Sequence, residues 1–160
     1  MPIRYYSTNR NLAPMGEFKP FRETVTFREA LLMGQAPDEG LFMPERIPSL
    51  AAAEIFALKG RTYPEAALLV AAKFLAGELE QERLRWVVED AYNFPVPLER
   101  VAGERYILRL DQGPTASFKD FAARLMARLM GHFARIEGRR FTVLVATGSD
   151  TGGAIADAFS

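Results

Sequence analysis

Apolar residues recur at helical spacing through most of the first 91 positions. This pattern predicts four helices, over residues 27–33, 51–58, 64–75 and 81–91. Pro64 suits a first helical position, and a glycine suits each of the first three helix ends, at Gly34, Gly60 and Gly77. We expect the helix after Pro64 to be mostly buried because nearly all of its residues are apolar. In the last helix the expected buried stripe is Leu84, Val87, Val88 and Ala91.

Two short strands are predicted among these helices. One opens the chain within Tyr5–Asn9 and leads into a loop through Ala13–Gly16. The other lies at Leu41–Met43, where a turn sequence delivers three large apolar residues between Pro37 and Pro44. Flanking prolines favour a short buried strand over a helix there.

The pattern changes after Pro95 and Pro97, which prevent a helix from continuing. The order becomes strand, strand, helix, strand, helix, over residues 98–101, 106–110, 117–136, 141–146 and 154–159. The first two strands are expected to form a hairpin. The run Phe141–Ala146 is β-branched and nearly all apolar, which is typical of a central parallel strand covered on both faces.

These elements predict an α/β protein with a mostly helical N-terminal domain, residues 1–95, and the incomplete start of a parallel-sheet domain, residues 96–160. Two parallel strands at most cannot complete such a sheet. We therefore expect the chain to be the front part of a longer protein. The alternative is a complete small α+β domain, since chains of 160 residues commonly fold alone.

Charge and composition exclude several function classes. The chain has 20 basic and 20 acidic residues, one histidine and no cysteine. Balanced charge gives no electrostatic signature of binding to nucleic acid or an anionic membrane. The absence of cysteine rules out disulfides and thiolate chemistry, and the single histidine argues against zinc and Ser-His-Asp sites. Because no apolar run suits a signal segment or a membrane span, a cytoplasmic location is expected.

Lys119 lies in the first turn of the helix predicted from Ser117, an unfavourable place for a cation. A helix start carries unpaired N–H groups and a partial positive charge, which favour a neutral amine or an imine over an ammonium group. Ser117 or Thr115 is expected to cap this helix, and Asp120 favours the dipole from its first turn. The plain alternative is a solvated surface lysine.

A second turn, residues 147–153, lies between the predicted parallel strand and the last helix. A strand, a Gly/Ser/Thr turn and a helix start often hold a ligand carboxylate or phosphate, although many such turns merely cap the helix. If the strands before the two turns are neighbours in one sheet, both turns open at its C-terminal edge. An amine beside a carboxylate pocket suits pyridoxal phosphate, which a lysine holds as an imine before moving protons at the substrate carbons.

Five motifs carry a resemblance to one known family. They are Tyr6-Ser7-Thr8, Glu29-Ala30-Leu31-Leu32 with Gly34, Ala36-Pro37-Asp38-Glu39-Gly40-Leu41-Phe42-Met43-Pro44, Gly113-Pro114-Thr115-Ala116-Ser117-Phe118-Lys119-Asp120, and Ala146-Thr147 with Asp150-Thr151-Gly152. In this order they closely resemble threonine synthase of the longer bacterial and fungal type, and the likeness covers the whole chain. The N-terminal motif is specific to that type, whereas the lysine segment is similar to many enzymes of the same pyridoxal-phosphate fold group, the tryptophan synthase β-like group.

The resemblance implies a pyridoxal 5'-phosphate-dependent lyase that acts on phosphates. It implies that O-phosphohomoserine and water are converted to threonine and inorganic phosphate, by γ-elimination and addition of water at the β carbon, as the last step of threonine biosynthesis. Lys119 would carry the cofactor as an imine and move the protons. The substrate's carboxylate end would be held by Thr147, Gly148, Ser149, Asp150 and Thr151.

Two departures from the family pattern bear on activity. The family usually reads Ala-Thr-Ser-Gly-Asp-Thr-Gly, whereas Gly148 and Ser149 stand here in exchanged order. Because glycine serves backbone shapes that serine takes only at a cost, we expect the exchange to distort the carboxylate pocket or to abolish activity. The family's glycine-rich phosphate loop and its hydroxyl partner for the pyridine nitrogen lie beyond residue 160. We therefore expect this chain alone to bind the cofactor poorly and not to turn over substrate.

Simple structural roles are expected for the other candidates. Packing is the favoured role of Phe118 and Phe121, and stacking on the cofactor is the alternative for Phe118. Asp150 is expected to bond its own turn's backbone, and His132 to pack or face solvent. The solvated face of the long helix is expected to carry Arg124, Arg128 and Arg135.

Two other functions stay open on the sequence. One is a different pyridoxal-phosphate lyase that acts on a phosphorylated amino acid, since no residue that would select the phosphate end of the substrate is recognisable. The other is a truncated, non-catalytic remnant that binds a partner.

Overall fold

The computed structural model describes residues 2–160, which contain five strands and six helices. The strands are β1 Tyr5–Ser7, β2 Thr24–Val25, β3 Phe42–Pro44, β4 Leu98–Ala102 and β5 Arg105–Leu108. The helices are α1 Phe27–Met33, α2 Ala52–Phe56, α3 Tyr63–Phe74, α4 Gln81–Ala91, α5 Lys119–Ile136 and α6 Asp150–Phe159. They form two compact units. The first contains the residues up to Lys59 with Leu69–Leu84, and the second contains Gly60–Leu68 with Arg85–Ser160.

An antiparallel sheet in the order β2-β1-β3 forms the framework of the first unit. Tyr5 pairs with Val25 on one side and with Pro44 on the other. The core of this unit consists of Ile3, Tyr5, Val25 and Ala30, with Phe21, Phe27, Phe42 and Phe74 packed around it. The strand predicted near Phe42 forms, but the prediction that it is buried is wrong. Leu41 and Met43 are 64% and 45% exposed, because β3 lies at the sheet edge and only Phe42 packs on the core.

Helix α1 begins with a capping box formed by Thr26 and Glu29. Thr26 Oγ1 accepts a hydrogen bond from the Glu29 N–H at 3.1 Å, and the Glu29 carboxylate accepts one from the Thr26 N–H at 2.7 Å. This reciprocal pair satisfies two N–H groups that a helix start otherwise leaves without partners. The bonds from the Thr26 backbone and side chain lower the pKa of Glu29.

Asp38 is a buried carboxylate, only 2% exposed, between β1 and β3. It accepts hydrogen bonds from Ser7 Oγ at 2.5 Å, from the Phe21 N–H at 2.8 Å and from the Gly40 N–H at 3.1 Å. Burial by itself raises the pKa of Asp38, but the bonds from Ser7, Phe21 and Gly40 outweigh it, so the pKa lies below its ordinary value. The carboxylate thus holds together the turn that precedes β3.

The two longer helices before residue 92 differ in how well the sequence predicts their burial. In α4 the predicted stripe is confirmed, since Leu84, Val87, Val88 and Ala91 are at most 3% exposed. The prediction that α3 is mostly buried is wrong, because none of its residues is buried and Val70 is 43% exposed. A helix that is apolar on every side can cover only one of those sides in a small unit, so the other sides stay partly open.

The second unit contains the predicted hairpin but not the predicted parallel strand. Strands β4 and β5 pair antiparallel, with Leu98 opposite Leu108. Residues 141–146 form no strand, and no described backbone group from 140 to 147 makes a backbone–backbone hydrogen bond. A strand exists only through pairing, and β5, the expected neighbour, pairs with β4 alone among the described strands. The apolar run is therefore unpaired and open, with Leu144 90% exposed.

Helices α5 and α6 pack against each other through small side chains. Their shared core consists of Ala123, Ala154 and Ala158, with Ala127, Ile155 and Phe159 around it. Alanine lets two helix backbones approach closely, and this packing brings the two helix starts together. The start of α5 lies two residues after the predicted one, at Lys119, and that of α6 lies four residues before, at Asp150.

No helix within residues 2–160 is both long and apolar enough to cross a membrane. Those residues also contain no group of three or more histidine, aspartate or glutamate side chains placed to hold a metal ion.

Candidate functional site

The starts of α5 and α6 meet through an ion pair. Lys119 Nζ lies 2.7 Å from Asp150 Oδ2, and the two side chains are 31% and 47% exposed. The sequence predicted that the two turns lie side by side, and this is confirmed. The predicted cause, two neighbouring parallel strands, is wrong, because the packing of α5 on α6 brings the turns together.

Asp150 receives several hydrogen bonds at once. Besides Lys119, its Oδ2 accepts from Ser117 Oγ at 3.0 Å. The hydrogen bonds from Lys119, Ser149 and Ser117, in that order of effect, hold the pKa of Asp150 well below its usual range. The expectation that Asp150 bonds its own turn's backbone is wrong, since these partners are side chains. The negative charge offsets the unfavourable position of a cation at a helix start.

Ser117 and Thr115, the two predicted caps, have different partners. Ser117 Oγ accepts a hydrogen bond from the Lys119 N–H at 3.2 Å, so Ser117 satisfies the first N–H of α5 as expected. Thr115 does not cap the helix. Its Oγ1 donates to Asp120 Oδ1 at 2.6 Å, and its N–H donates to Asp120 Oδ2 at 3.0 Å. Asp120 is fully buried, so it does more than favour the helix dipole.

The two phenylalanines near Lys119 have different environments. Phe121 packs as predicted, with its ring centroid 5.2–5.8 Å from those of Tyr63, Tyr92 and Phe94. The prediction that Phe118 packs is wrong, because this residue is 61% exposed. Lys119 Nζ lies 4.8 Å from the centroid of the Phe118 ring. An exposed aromatic ring beside the amine leaves room for a planar group.

A hollow of about 380 Å³ adjoins this ion pair. Its walls are the end of β5 with the following residues, the loop Ala116–Phe118, and Asp150. A larger hollow, about 910 Å³, lies between α5, α6 and the open run 141–145, and Thr147 and Gly152 line it. Lys119 lines neither hollow, but its neighbours Ser117 and Phe118 and its partner Asp150 line the smaller one, so the smaller hollow is the one that adjoins this lysine.

The turn before α6 shows no backbone strain at the exchanged pair. Ser149 has φ −151° and ψ −160°, an extended conformation that any residue adopts. A Cβ added at Gly148 would meet no atom within 4 Å. A Cβ at Gly152, in contrast, would overlap the methyl group of Thr147. The exchange therefore introduces no backbone strain in this turn.

The prediction that Arg124 lies on the solvated face of the long helix is wrong. Arg124 is 7% exposed, not solvated. Its guanidinium donates to the Ala91 carbonyl oxygen at 2.8 Å and to Asp157 Oδ2 at 3.0 Å, and two further bonds reach the Asp90 carbonyl oxygen and Asn93 Oδ1. Arg124 thereby joins the end of α4 to α6. No spacing in the sequence indicates partners more than 30 positions away.

The other residues of that face follow the expectation in part. The Arg128 side chain is only 17% exposed and lies 2.6 Å from Asp90 Oδ2, so it too is not solvated. Arg135 is exposed as predicted. His132 contacts Phe133, with ring centroids 5.4 Å apart, in agreement with a packing role.

Comparison with known proteins identifies the relatives of this chain. The family model described as "Threonine synthase N terminus" matches residues 4–92. Threonine synthase from Pseudomonas aeruginosa is 35% identical over 157 residues, which is 95% of this chain and 31% of the relative. Threonine synthase from Haemophilus influenzae is 41% identical over 138 residues, 86% of this chain and 31% of the relative. The chain thus spans about a third of the length of the curated relatives it matches.

Solved structures agree with these sequence matches. The chain is similar to the PLP-bound threonine synthase from Brucella melitensis, with a TM-score of 0.86, 37% identity, and coverage of 98% of this chain and 33% of that one. It is also similar to threonine synthase from Escherichia coli, with a TM-score of 0.82, 32% identity, and coverage of 98% and 34%. The sequence resemblance and its restriction to the N-terminal part are confirmed, and this chain belongs to the threonine synthase family.

Proposed function

We propose that this chain is the N-terminal part of a threonine synthase and supplies the cofactor-binding lysine of its active site. The observation that carries the proposal is the position of Lys119, whose Nζ lies 2.7 Å from Asp150 beside an open hollow. The proposed reaction converts O-phosphohomoserine and water to threonine and inorganic phosphate. The match to the N-terminal family model over residues 4–92 supports this assignment.

The residues around Lys119 fit pyridoxal 5'-phosphate in two respects. The lysine amine is partly exposed, and the Phe118 ring beside it is open on the side of the hollow. When bound, pyridoxal phosphate withdraws electrons from the substrate carbons, which makes their protons removable. In this arrangement Lys119 would hold the cofactor through its aldehyde, and the same amine would move protons at the α and β carbons of the substrate.

The remaining site residues have supporting roles in the proposal. Asp150, bonded to Ser117 and Lys119, orients the amine toward the hollow. Phe118 offers its exposed face to the cofactor ring. The carboxylate of the substrate is assigned to the turn before α6 and the first turn of that helix, where helix N–H groups favour an anion, through Thr147, Gly148, Ser149, Asp150 and Thr151.

We also propose that the chain is not active alone. The residues assigned to the N-terminal domain are 1–95, and residues 96–160 are assigned to the start of the cofactor-binding domain. In the second group the run 141–146 lacks partner strands, so the sheet that would support a cofactor is unformed within the described residues. A lysine without a phosphate-binding loop attaches pyridoxal phosphate weakly, because only the aldehyde end is held.

Borohydride trapping tests the lysine assignment. The chain is incubated with excess pyridoxal phosphate and reduced, and the adduct is mapped by peptide mass spectrometry over its four lysines, Lys19, Lys59, Lys73 and Lys119. We expect Lys119 to carry most of the label, at well under one equivalent, and Lys119→Ala to remove it while Lys73→Ala does not. Labelling spread evenly over the lysines would contradict the proposed site, and stoichiometric labelling at Lys119 would contradict weak binding by this chain alone.

Activity is tested in a chain extended through the region that its relatives carry beyond this span. We expect phosphate release from O-phosphohomoserine with production of threonine, and loss of both in the Lys119→Ala variant. Another phosphorylated amino acid that is turned over faster would assign the chain to a different lyase of the fold group. Absence of turnover with every such substrate would support the non-catalytic alternative.

The exchanged pair gives a separate prediction. The double substitution Gly148→Ser with Ser149→Gly restores the family order and is expected to change the free energy of unfolding by less than about 1 kcal/mol. Position 148 is open, and glycine replaces serine before a helix at a cost of only a few tenths of a kcal/mol. Urea unfolding measures the change, with Ser149→Gly alone as the control. A loss above about 2 kcal/mol would show that the exchange is built into the turn.

A further inference from the structure

The loop that leads to Lys119 is folded around one buried carboxylate. Asp120 is fully buried, and its two oxygens accept hydrogen bonds from the side chain and the N–H of Thr115 at 2.6 and 3.0 Å. A Cβ added at Gly113 would overlap the same carboxylate. The loop therefore touches Asp120 at two points, through Thr115 and Gly113.

The same loop carries an unfavourable backbone conformation. Ala116 has φ 55°, one of two positive values among the described residues other than glycine. L residues other than glycine rarely adopt this backbone conformation, and it persists only where surrounding contacts impose it. A turn closed by the bond from the Ala116 N–H to the Gly113 carbonyl oxygen at 3.0 Å, and tied to Asp120 through Thr115, supplies those contacts.

From these contacts we infer that Asp120 is a positioning residue for Lys119. Its carboxylate fixes residues 113–116, which in turn place Ser117. The Ser117 hydroxyl contacts both the Lys119 N–H and Asp150 Oδ2, at 3.2 and 3.0 Å. The position of Ser117 therefore sets the position of the Lys119 backbone and the direction of the Lys119 amine. Asp120 is fully buried, so it takes no part in the chemistry itself. The inference rests on the proposed function, in which Lys119 attaches pyridoxal phosphate.

The test compares substitutions that disturb this contact from its two sides. Asp120→Asn removes the negative charge, and its NH₂ group donates where one carboxylate oxygen accepted a hydrogen bond from Thr115. Gly113→Ala forces the carboxylate out of place. Thr115→Val removes only one of the two hydrogen bonds. Each variant is treated with excess pyridoxal phosphate and borohydride, and the label at Lys119 is divided by the label at the exposed Lys19 and Lys59 in the same sample.

We expect this ratio to fall at least fivefold in Asp120→Asn and Gly113→Ala, and less in Thr115→Val. The circular dichroism of the bound chromophore, which requires a fixed orientation of the group, should fall in parallel. Leu129→Ala serves as the destabilised control, because Leu129 is 2% exposed in the middle of α5, ten positions after Lys119. Gly131→Ala is the matched glycine control on the same helix, where an added Cβ makes only an ordinary contact.

A coupling experiment separates positioning from general destabilisation. If the two sites act through one contact, Asp120→Gly combined with Gly113→Ala should lower the labelling ratio no further than Asp120→Gly alone, because only glycine also removes the Asp120 Cβ, which lies 2.9 Å from a Cβ added at Gly113. If the wild type is labelled preferentially at Lys119 and Asp120→Asn keeps that preference, this inference is overturned and the proposed function stands. A fall in Leu129→Ala as large as that in Asp120→Asn would also overturn the inference. Wild-type labelling without preference for Lys119 would overturn both.

Discussion

Asp38→Asn is expected to lower the free energy of unfolding by about 3 kcal/mol at neutral pH. Asp38 is 2% exposed and accepts three hydrogen bonds, from Ser7 Oγ and from the N–H groups of Phe21 and Gly40. An asparagine keeps one oxygen acceptor but turns an NH₂ group toward at least one of these donors. A buried N–H without an acceptor costs its full desolvation energy, and the charge that strengthened the other bonds is lost.

The effect of Asp38 depends on pH in a defined direction. The pKa of Asp38 lies below its ordinary value in the folded chain. Its contribution to stability is therefore fully present above the unfolded pKa, about 3.9, and is lost as the pH falls through the folded pKa. Urea unfolding followed by far-UV circular dichroism should show a gap between wild type and Asp38→Asn that is constant near neutral pH and closes below about pH 4. Other carboxylates titrate equally in both proteins, so the difference isolates Asp38.

Two variants sharpen this test. Glu23→Gln makes the same acid-to-amide change at an exposed position of the same unit and should alter stability by less than about 0.5 kcal/mol. Gly40→Ala attacks the same cluster from the backbone, because its Cβ would overlap Ser7 Oγ and lie 3.0 Å from Asp38 Oδ1. It should cost about as much as Asp38→Asn. A loss of under about 1 kcal/mol in both would show that the cluster does not hold this unit together.

How far the sequence predicts this structure depends on the range of each interaction. Local signals were sufficient for the range of α1, the buried stripe on α4 and the hairpin at residue 103, because each involves residues a few positions apart. The start of α6 was placed four residues late because Gly152 and Gly153 indicate a turn, whereas in the structure both lie in the helix.

One interaction between distant parts of the chain is predicted, the meeting of Lys119 with the turn at Asp150. The strand, turn and helix pattern at both places predicts it, although the helix packing that causes it is not predicted. Asp38 and Ser7 belong to two different motifs of the family resemblance, yet the bond between them spans 31 positions and no periodicity indicates it. For the run 141–146 the composition predicts a buried strand that does not form. A strand needs a neighbouring strand to pair with, and this run makes no backbone–backbone hydrogen bond.

Arg124→Met is expected to lower the free energy of unfolding of the second unit by about 4 kcal/mol. Methionine fills a similar volume, so most of the loss is polar. It leaves the Ala91 and Asp90 carbonyl oxygens at the end of α4 without their donor, and Asp157 without its ion pair at 3.0 Å. A helix end that is buried without partners for its carbonyl groups is costly.

The consequence for the site should be separable from this loss. Arg124 reaches α6 through Asp157, and Asp150 at the other end of that helix holds Lys119. Loosening α6 should therefore reduce the selectivity of pyridoxal phosphate for Lys119 even under conditions where the chain stays folded. Fluorescence of Trp86, the single tryptophan, reports urea unfolding of this unit.

Arg85→Met is the matched control, since it makes the same change in an exposed pair with Glu89, 3.7 Å apart, and should cost at most about 0.5 kcal/mol. Arg124→Lys keeps the charge beside Asp157 but cannot reach acceptors on both sides, so it should recover only part of the loss. Full recovery by lysine would show that charge alone matters. An effect of Arg124→Met no larger than that of Arg85→Met would show that the buried guanidinium does not hold α4 and α6 together.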